Sequence, residues 1–222
     1  MQNNTTALFD ICDTLFDSNT TFDFLDCFVT SKQYKWIRHF SRYKIGKILN
    51  GCFWRVFRID LVRFFSLRFI NGYSKEELLS GANMFYDSYL INKKKETVFE
   101  LLEELKRKNC NIVLASATAD FMAETIARKI NIETYYSTLL KYEDGICKGK
   151  IATDILGKKM HALKSAGFAP PYYAIVTDNT SDADLVENSD VAYIVLTAGN
   201  RKKWNRIIRK RQMCNVKLLD LI

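Results

Sequence analysis

The stretch ALFDICDTLF, residues 7–16, joins a short apolar run to a cluster of acidic and hydroxyl side chains. Residues 7–9 have the composition of a buried strand, and Asp10 and Asp13 follow the point where that strand would end. Carboxylates at the carboxyl end of a strand commonly build a site for a metal ion or a phosphate group. Cys12, between the two acids, is the unusual residue of this segment.

Similar apolar runs recur along the chain, and each is followed by a helical pattern. The expected strands cover 5–9, 111–115, 172–176 and 191–196. The expected helices lie near 94–109, 119–130, 158–167 and 181–188. The strands lack strict polar alternation, which is typical of strands buried on both faces of a parallel sheet. The pattern predicts a doubly wound α/β domain that binds ligands at the carboxyl ends of its strands.

The interval between the first two expected strands is too long for a single crossover. We therefore predict a helical cap over 18–95, inserted into an α/β core formed by 1–17 and 96–222. Within the cap, Ser74 and Glu77 have the spacing of a capping box that begins a helix. In the core, the segment YEDGICKGKI at 142–151 contains Asp-Gly and predicts a β-hairpin.

Composition restricts the class of protein. With 222 residues and 48% apolar content, the chain can bury a sizeable core and is not expected to be disordered. Its six cysteines form no CxxC or Cys/His cluster, so we expect reduced thiols rather than a disulfide framework or a zinc site. The sequence shows neither a signal-peptide pattern nor an apolar run of ~18 residues. A cytoplasmic protein is the expectation.

Positive charge is concentrated in two segments. Ten Lys or Arg residues lie in 32–68 against the single acid Asp60, and 201–211 holds seven basic residues and no acid. These segments would attract anionic partners such as phosphorylated metabolites or an anionic membrane surface. Nucleic acid is not expected as a partner, because no recognised binding module is present.

Two interpretations of the basic cap segment remain open. On a helix over 52–70, a polar stripe formed by Arg55, Arg58, Arg63 and Ser66 would alternate with many aromatic residues. The simpler interpretation makes the stripe the solvated face of the cap, with the aromatics packed inside. The other brings the helix to a membrane surface or a lipid-linked phosphate. The helix expected over 201–211 has the same two interpretations, with Trp204 as the candidate surface contact.

Polar side chains follow three of the expected strands. Asp10 follows the first, Ser116 the second and Asp178 the third, with Asp182 four residues further on. In a parallel sheet these positions fall on one edge, although more than 170 positions separate the first from the last. We therefore expect their side chains to share one site.

In this order the residues resemble the motifs of the haloacid dehalogenase superfamily, in the phosphoserine-phosphatase-like branch that has a helical cap after the first strand. The first motif, D-x-D-x-T, falls on residues 10–14, with Cys12 where the second Asp is usual. The remaining motifs fall on Ser116, on Lys159 with Lys158 as its rival, and on Asp178 with Asp182.

The resemblance implies a Mg²⁺-dependent phosphatase in which Asp10 attacks phosphorus and forms an aspartyl-phosphate. The implied Mg²⁺ ligands are Asp10, the main-chain carbonyl of Cys12, Asp178 and nearby Asp182. The implied phosphate ligands are Thr14, Ser116, Ala117 through its amide, and Lys159. A small-molecule or lipid-linked phosphate is the expected substrate.

Cys12 bears on whether such an enzyme turns over. In family phosphatases the second Asp protonates the leaving oxygen and then activates water, and a neutral thiol is a poor base. Three alternatives follow: a substrate with a good leaving group, a long-lived phosphoenzyme, or a catalytically weakened phosphate-binding or regulatory protein. Asp13 is not expected to substitute, because adjacent side chains on a near-extended backbone point apart. A dehalogenase is less favoured, because such members do not need the acidic pair Asp178 and Asp182.

Overall fold

The computed structural model describes residues 5–43, 46, 48, 50–53 and 60–220. Its centre is a seven-stranded sheet with the order β4-β3-β2-β1-β5-β6-β7. Neighbouring strands are parallel except for the antiparallel pair β3 and β4. The strands are β1 (Thr6–Phe9), β2 (Asn111–Ala119), β3 (Thr134–Glu143), β4 (Ile146–Thr153), β5 (Tyr172–Thr177), β6 (Ser189–Leu196) and β7 (Val216–Asp220).

Helices cover both faces of the sheet, as the apolar runs predict. The described helices are α1 (Thr20–Phe28), α2 (Lys32–Arg42), α3 (Leu61–Leu67), α4 (Lys75–Ser88), α5 (Glu96–Arg107), α6 (Asp120–Lys129), α7 (Lys159–Ser165), α8 (Ala183–Glu187) and α9 (Arg201–Arg211). Phe9 and Leu8, adjacent on β1, belong to separate buried clusters on opposite sides of the sheet. The doubly wound α/β fold with a helical cap after the first strand is therefore confirmed.

Helices α1 to α4 lie between β1 and α5 in chain order. α4 begins with the predicted capping box, in which the Ser74 side chain accepts from the Glu77 amide and the Glu77 side chain accepts from the Ser74 amide. The predicted hairpin is also present: β3 and β4 meet at Asp144 and Gly145, both with positive φ. The hairpin edge pairs with the chain ahead of α4, where the Cys147 amide donates to the Tyr73 carbonyl over 2.8 Å. The boundaries 18–95 for the cap remain a prediction.

The simpler interpretation, in which the basic stripe is the solvated face of the cap, is wrong for the two stripe residues that the structure describes. Arg63 and Ser66 on α3 are only 6% and 0% exposed, so they are not on a solvated face. Arg63 is buried because it reaches an acidic partner in the core, Asp154. Arg55 and Arg58 lie outside the described residues.

The C-terminal basic helix forms as predicted, over Arg201–Arg211. Trp204 on this helix is 0% exposed, so it is a core residue and not a surface contact. Its indole Nε1 donates to the main-chain carbonyl of Asp178 over 2.7 Å. No helix in the described parts of the chain combines the length and apolar character needed to cross a bilayer.

Candidate active site

The three central strands bring the predicted polar residues to one edge of the sheet. β1 pairs with β2 on one side and β5 on the other, so the segments that follow these strands are neighbours. Asp10 lies directly after β1, and its amide donates to the Val176 carbonyl of β5 over 3.0 Å. Ser116 lies where the pairing of β2 with β3 is interrupted, and Asp178 follows β5. Asp10, Ser116 and Asp178 line one cavity of about 150 Å³.

Lys159 lies beside Asp10 in the core. Its Nζ is 2.7 Å from Asp10 Oδ2 and 2.7 Å from Asp182 Oδ2, and its side chain is 2% exposed. Burial alone would lower the pKa of Lys159, but the two carboxylates raise it well above its usual range. The ammonium is therefore charged at neutral pH. Lys158, the rival in the sequence, is exposed.

Asp182 is held away from the cavity. Its Oδ2 accepts hydrogen bonds from Lys159 and from the Thr177 hydroxyl, the latter over 2.7 Å. Its Oδ1 is buried with no hydrogen-bond partner among the described residues. Asp182 does not line the cavity, so the structure differs here from its expected place among the metal ligands. It acts as a counter-ion of Lys159.

Thr14 is also placed differently from expectation. Its hydroxyl donates to Asp178 Oδ1 over 3.2 Å and accepts from the Asp178 amide over 2.9 Å. The side chain is fully buried and does not line the cavity. Thr14 therefore orients the Asp178 carboxylate and does not present its hydroxyl to a phosphate group.

The main chain turns sharply after Asp10, which affects Asp13. The amides of Leu15 and Phe16 both donate to the Ile11 carbonyl, over 3.0 and 3.3 Å. Asp13 adopts a left-handed conformation with φ 52°. The premise of a near-extended backbone is therefore wrong, and Asp13 lines the same cavity as Cys12. Burial raises the pKa of Asp13, with the Lys95 ammonium opposing it.

Cys12 lies in the cavity wall next to a group of hydroxyls. Its Sγ is 3.1 Å from Thr20 Oγ1, and Thr20 Oγ1 is 2.7 Å from Thr118 Oγ1. Burial, and then the charge of Asp10, raises the pKa of the Cys12 thiol to about 11. The thiol is therefore neutral at physiological pH.

The oxygen donors at the cavity fit a hard divalent cation. Asp10 and Asp178 supply two carboxylates, and Mg²⁺ typically takes only one or two of these and retains several waters. Burial, with the charges of Asp10 and Asp13, raises the pKa of Asp178 to about 8. A bound cation would relieve the repulsion between these carboxylates. In the described residues no three His, Cys, Asp or Glu side chains gather closely enough to hold a metal. A site here would therefore also use main-chain oxygen and solvent.

The cap contributes residues to this cavity that sequence reasoning missed. Arg63 and Asp60 at the start of α3, and Phe22 on α1, line it from the cap side. Arg63 Nη1 donates to the Ala117 carbonyl over 2.9 Å, and Nη2 forms an ion pair with Asp154. Helical periodicity could group Arg63 with other polar residues, but it held no signal for a partner 91 positions away.

Comparison with known proteins agrees with this geometry. The model of the haloacid dehalogenase-like hydrolase family matches residues 7–187. The chain belongs to this family. No curated protein matches the chain at a significant level.

Several solved structures have a similar fold. A protein of unknown function from Bordetella pertussis Tohama I superposes with a TM-score of 0.70 at 18% identity, and the match covers 98% of each chain. A substrate-bound phosphoserine phosphatase complex superposes with a TM-score of 0.61 at 13% identity, and the match covers 95% of this chain and 99% of the other. Cytosolic 5'-nucleotidase IIIB bound to cytidine superposes with a TM-score of 0.59 at 13% identity, and the match covers 98% of this chain and 81% of the other. At these identities the similarity shows the fold alone.

Proposed function

We propose that this family member is a Mg²⁺-dependent phosphohydrolase that works through an aspartyl-phosphate on Asp10. The observation that carries the proposal is the buried contact of 2.7 Å between Asp10 Oδ2 and Lys159 Nζ. This pair adjoins a cavity that Ser116 and Asp178 also line. The Asp10 carboxyl is thus placed to act as a nucleophile, with a fixed cation beside the place where negative charge would gather.

Each polar residue then has a distinct task. An oxygen of Asp10 forms the new bond to phosphorus while the ester oxygen leaves with its electron pair. Lys159 offsets the charge shared by Asp10 and the phosphoryl group, and Asp182 keeps the ammonium in place. The Ser116 hydroxyl and the Ala117 amide bind phosphoryl oxygens.

Asp10, Asp178 and the Cys12 carbonyl would hold Mg²⁺, and Thr14 keeps Asp178 oriented. When bound, the ion would reduce the repulsion between Asp10 and a dianionic phosphate.

Cys12 makes the second half of the reaction slow. A thiol with its pKa raised to about 11 stays protonated at neutral pH, so it cannot take a proton from water. Loss of a positioned base typically costs ~10²–10⁴-fold in rate. The phosphoenzyme should therefore be long-lived, and a phosphate-binding or regulatory protein with little turnover is the second candidate function.

The substrate we propose is a small-molecule or lipid-linked phosphate in the cytoplasm. A cavity of about 150 Å³ suits a small phosphate ester. The lipid-linked option draws on a second cavity of about 340 Å³ on the cap, lined by apolar residues including Trp36, Phe40 and Phe65. Trp36 and Phe40 stack at 5.7 Å while 67% and 39% exposed, in a segment rich in cations. An anionic membrane surface is the partner with complementary charge.

Flotation with liposomes tests the membrane contact. The membrane contact is supported if the wild type floats with anionic vesicles and the Trp36→Ala variant floats less. Protein that stays at the bottom of the gradient rules it out.

A panel of phosphate esters, assayed with and without Mg²⁺, tests the main proposal. We expect phosphate release that requires Mg²⁺ and is lost in Asp10→Asn. Asp184→Asn, which alters an exposed Asp on α8, should match the wild type and serves as the control. Binding of inorganic phosphate without release from any ester would favour the second candidate.

A further inference from the structure

We infer that Arg63 is a positioning residue that couples closure of the cap to the shape of the phosphate-binding segment. The inference rests on the proposed role of Ser116 and Ala117. Arg63 belongs to α3 of the cap, yet its guanidinium donates to a core carbonyl, that of Ala117, over 2.9 Å. The side chain is 7% exposed, so the contact is shielded from water.

The core holds the guanidinium on a second side. Asp154, which follows β4, forms the ion pair with Arg63. The Asp154 carboxylate is itself fixed, because its Oδ1 accepts from the Thr138 hydroxyl over 3.1 Å and from the Leu156 amide over 2.9 Å. A planar guanidinium fork anchored this way has little freedom to turn. Arg63 therefore locates the Ala117 carbonyl accurately.

Fixing the Ala117 carbonyl also fixes the Thr118 amide. The Ala117 carbonyl and the Thr118 amide belong to one planar peptide unit, so holding one orients the other. Helix α1 of the cap also contacts the segment after Ser116: Thr118 Oγ1 is 2.7 Å from Thr20 Oγ1 and 2.9 Å from Thr21 Oγ1. The Ala119 amide donates to Thr21 Oγ1 over 3.0 Å. Two separate cap elements thus hold the segment that follows Ser116.

These contacts exist only while the cap lies against the core. When α3 moves away, Ala117 loses a charged hydrogen-bond donor and its peptide unit is free to turn. Among the described residues that line the cavity, Arg63 is also the only Lys or Arg. A Lys at this position could not reproduce the fork, because its single nitrogen replaces the two separate nitrogens that reach Ala117 and Asp154.

Hydrogen exchange provides a test that does not depend on turnover. We expect Arg63→Gln to speed exchange of the Ala119 amide by about tenfold or more, because the segment loosens. Arg68→Gln changes an exposed cap arginine that lies over the Phe64 ring, and it should leave that exchange rate unchanged. Asp154→Asn keeps the hydrogen bond to Ala117 and should give a smaller increase than Arg63→Gln.

Kinetics separates a positioning role from simple destabilisation. In Arg63→Gln we expect kcat to fall about tenfold or more with KM within about twofold, and Arg63→Lys should not restore it. Unchanged exchange at Ala119 in both Arg63→Gln and Asp154→Asn would overturn the inference. If the wild type releases no phosphate, the proposed hydrolysis fails while the exchange experiment still tests the inference.

Discussion

At the scale of single residues, Cys12 determines what the site can do. Its side chain lies in the cavity wall beside Asp10, and its pKa is raised to about 11. A neutral thiol there leaves the nucleophile and Lys159 intact but removes the usual base. With a good leaving group, the reaction should therefore start and then stall at the phosphoenzyme.

Cys12→Asp should restore the missing base. We expect turnover of alkyl phosphates to rise by at least about tenfold, because a carboxylate can both donate and accept the proton. Steady-state release of phosphate measures this change. Cys27→Asp, at an exposed position on α1, is the matched control and should have no effect. No gain in Cys12→Asp would mean that position 12 is not where catalysis is limited.

The raised pKa of Cys12 also predicts its reactivity. Only the thiolate is alkylated, and with its pKa raised to about 11 the Cys12 thiol stays protonated at pH 8. Iodoacetamide at pH 8 should therefore label exposed Cys214 well before Cys12, and labelling of Cys12 should rise as the pH approaches 11. Peptide mass spectrometry measures both sites. Equal labelling at pH 8 would contradict a half-buried, neutral thiol.

At the scale of helices, Asp26 joins α1 to α2. Its carboxylate accepts from the Tyr34 hydroxyl over 2.5 Å and from Arg38 through Nε and Nη2, each over 2.8 Å. Burial alone would raise the pKa of Asp26, but the hydrogen bonds from Arg38 and Tyr34 lower it below its usual value. The ionised form is therefore the one that stabilises the cap.

Asp26→Asn should destabilise the protein by about 1–2 kcal/mol near pH 7, because it removes charge-assisted hydrogen bonds. A lowered pKa gives stability that is present above the unfolded value of ~3.9 and is lost as the pH falls through the folded value. The difference in free energy of unfolding between the variant and the wild type should thus shrink below about pH 4. Denaturant unfolding at several pH values measures it. The control is Asp87→Asn, which alters an exposed carboxylate paired with Lys129 and should change the free energy of unfolding by less than about 0.5 kcal/mol. If Asp87→Asn lost as much stability as Asp26→Asn, the proposed role of Asp26 would be wrong.

Local signals explain which elements could be predicted from the sequence. The capping box at Ser74 and the Asp-Gly turn at 144–145 depend on residues a few positions apart, and both form as predicted. β7 was missed because it is a five-residue edge strand whose side chains are all half-buried or exposed. β3 was recognised only at its hairpin end, since its first residues are half-buried tyrosines and a threonine without a clear apolar run.

Long-range contacts explain what the sequence could not reveal at the site. Strand-end positions predicted that Asp10, Ser116 and Asp178 share one edge of the sheet, because the carboxyl ends of parallel strands lie on the same edge. The roles of Thr14 and Arg63 depend instead on partners far along the chain. Thr14 bonds to a residue 164 positions away and Arg63 to one 91 positions away. Periodicity assigns a residue to a helix face but carries no information about what that face contacts.

At the scale of the whole molecule, the order of strands builds the site. β1 lies between β2 and β5, so the segments bearing the nucleophile, the phosphate-binding hydroxyl and the second carboxylate are adjacent. The cap closes over this edge and contributes Arg63 and Asp60. Core and cap together therefore line a small cavity that presents carboxylate and hydroxyl groups and has the size of one phosphoryl group.

Trapping the phosphoryl group on the protein shows whether Asp10 is the nucleophile. The protein is mixed with Mg²⁺ and a reactive phosphate ester and is then quenched in acid. It is digested, and its peptides are analysed by mass spectrometry. We expect a hydroxylamine-sensitive phosphoryl group on Asp10 that accumulates in the wild type and declines in Cys12→Asp. A phosphoryl group on any other residue, or phosphate release with none trapped on either protein, would contradict it.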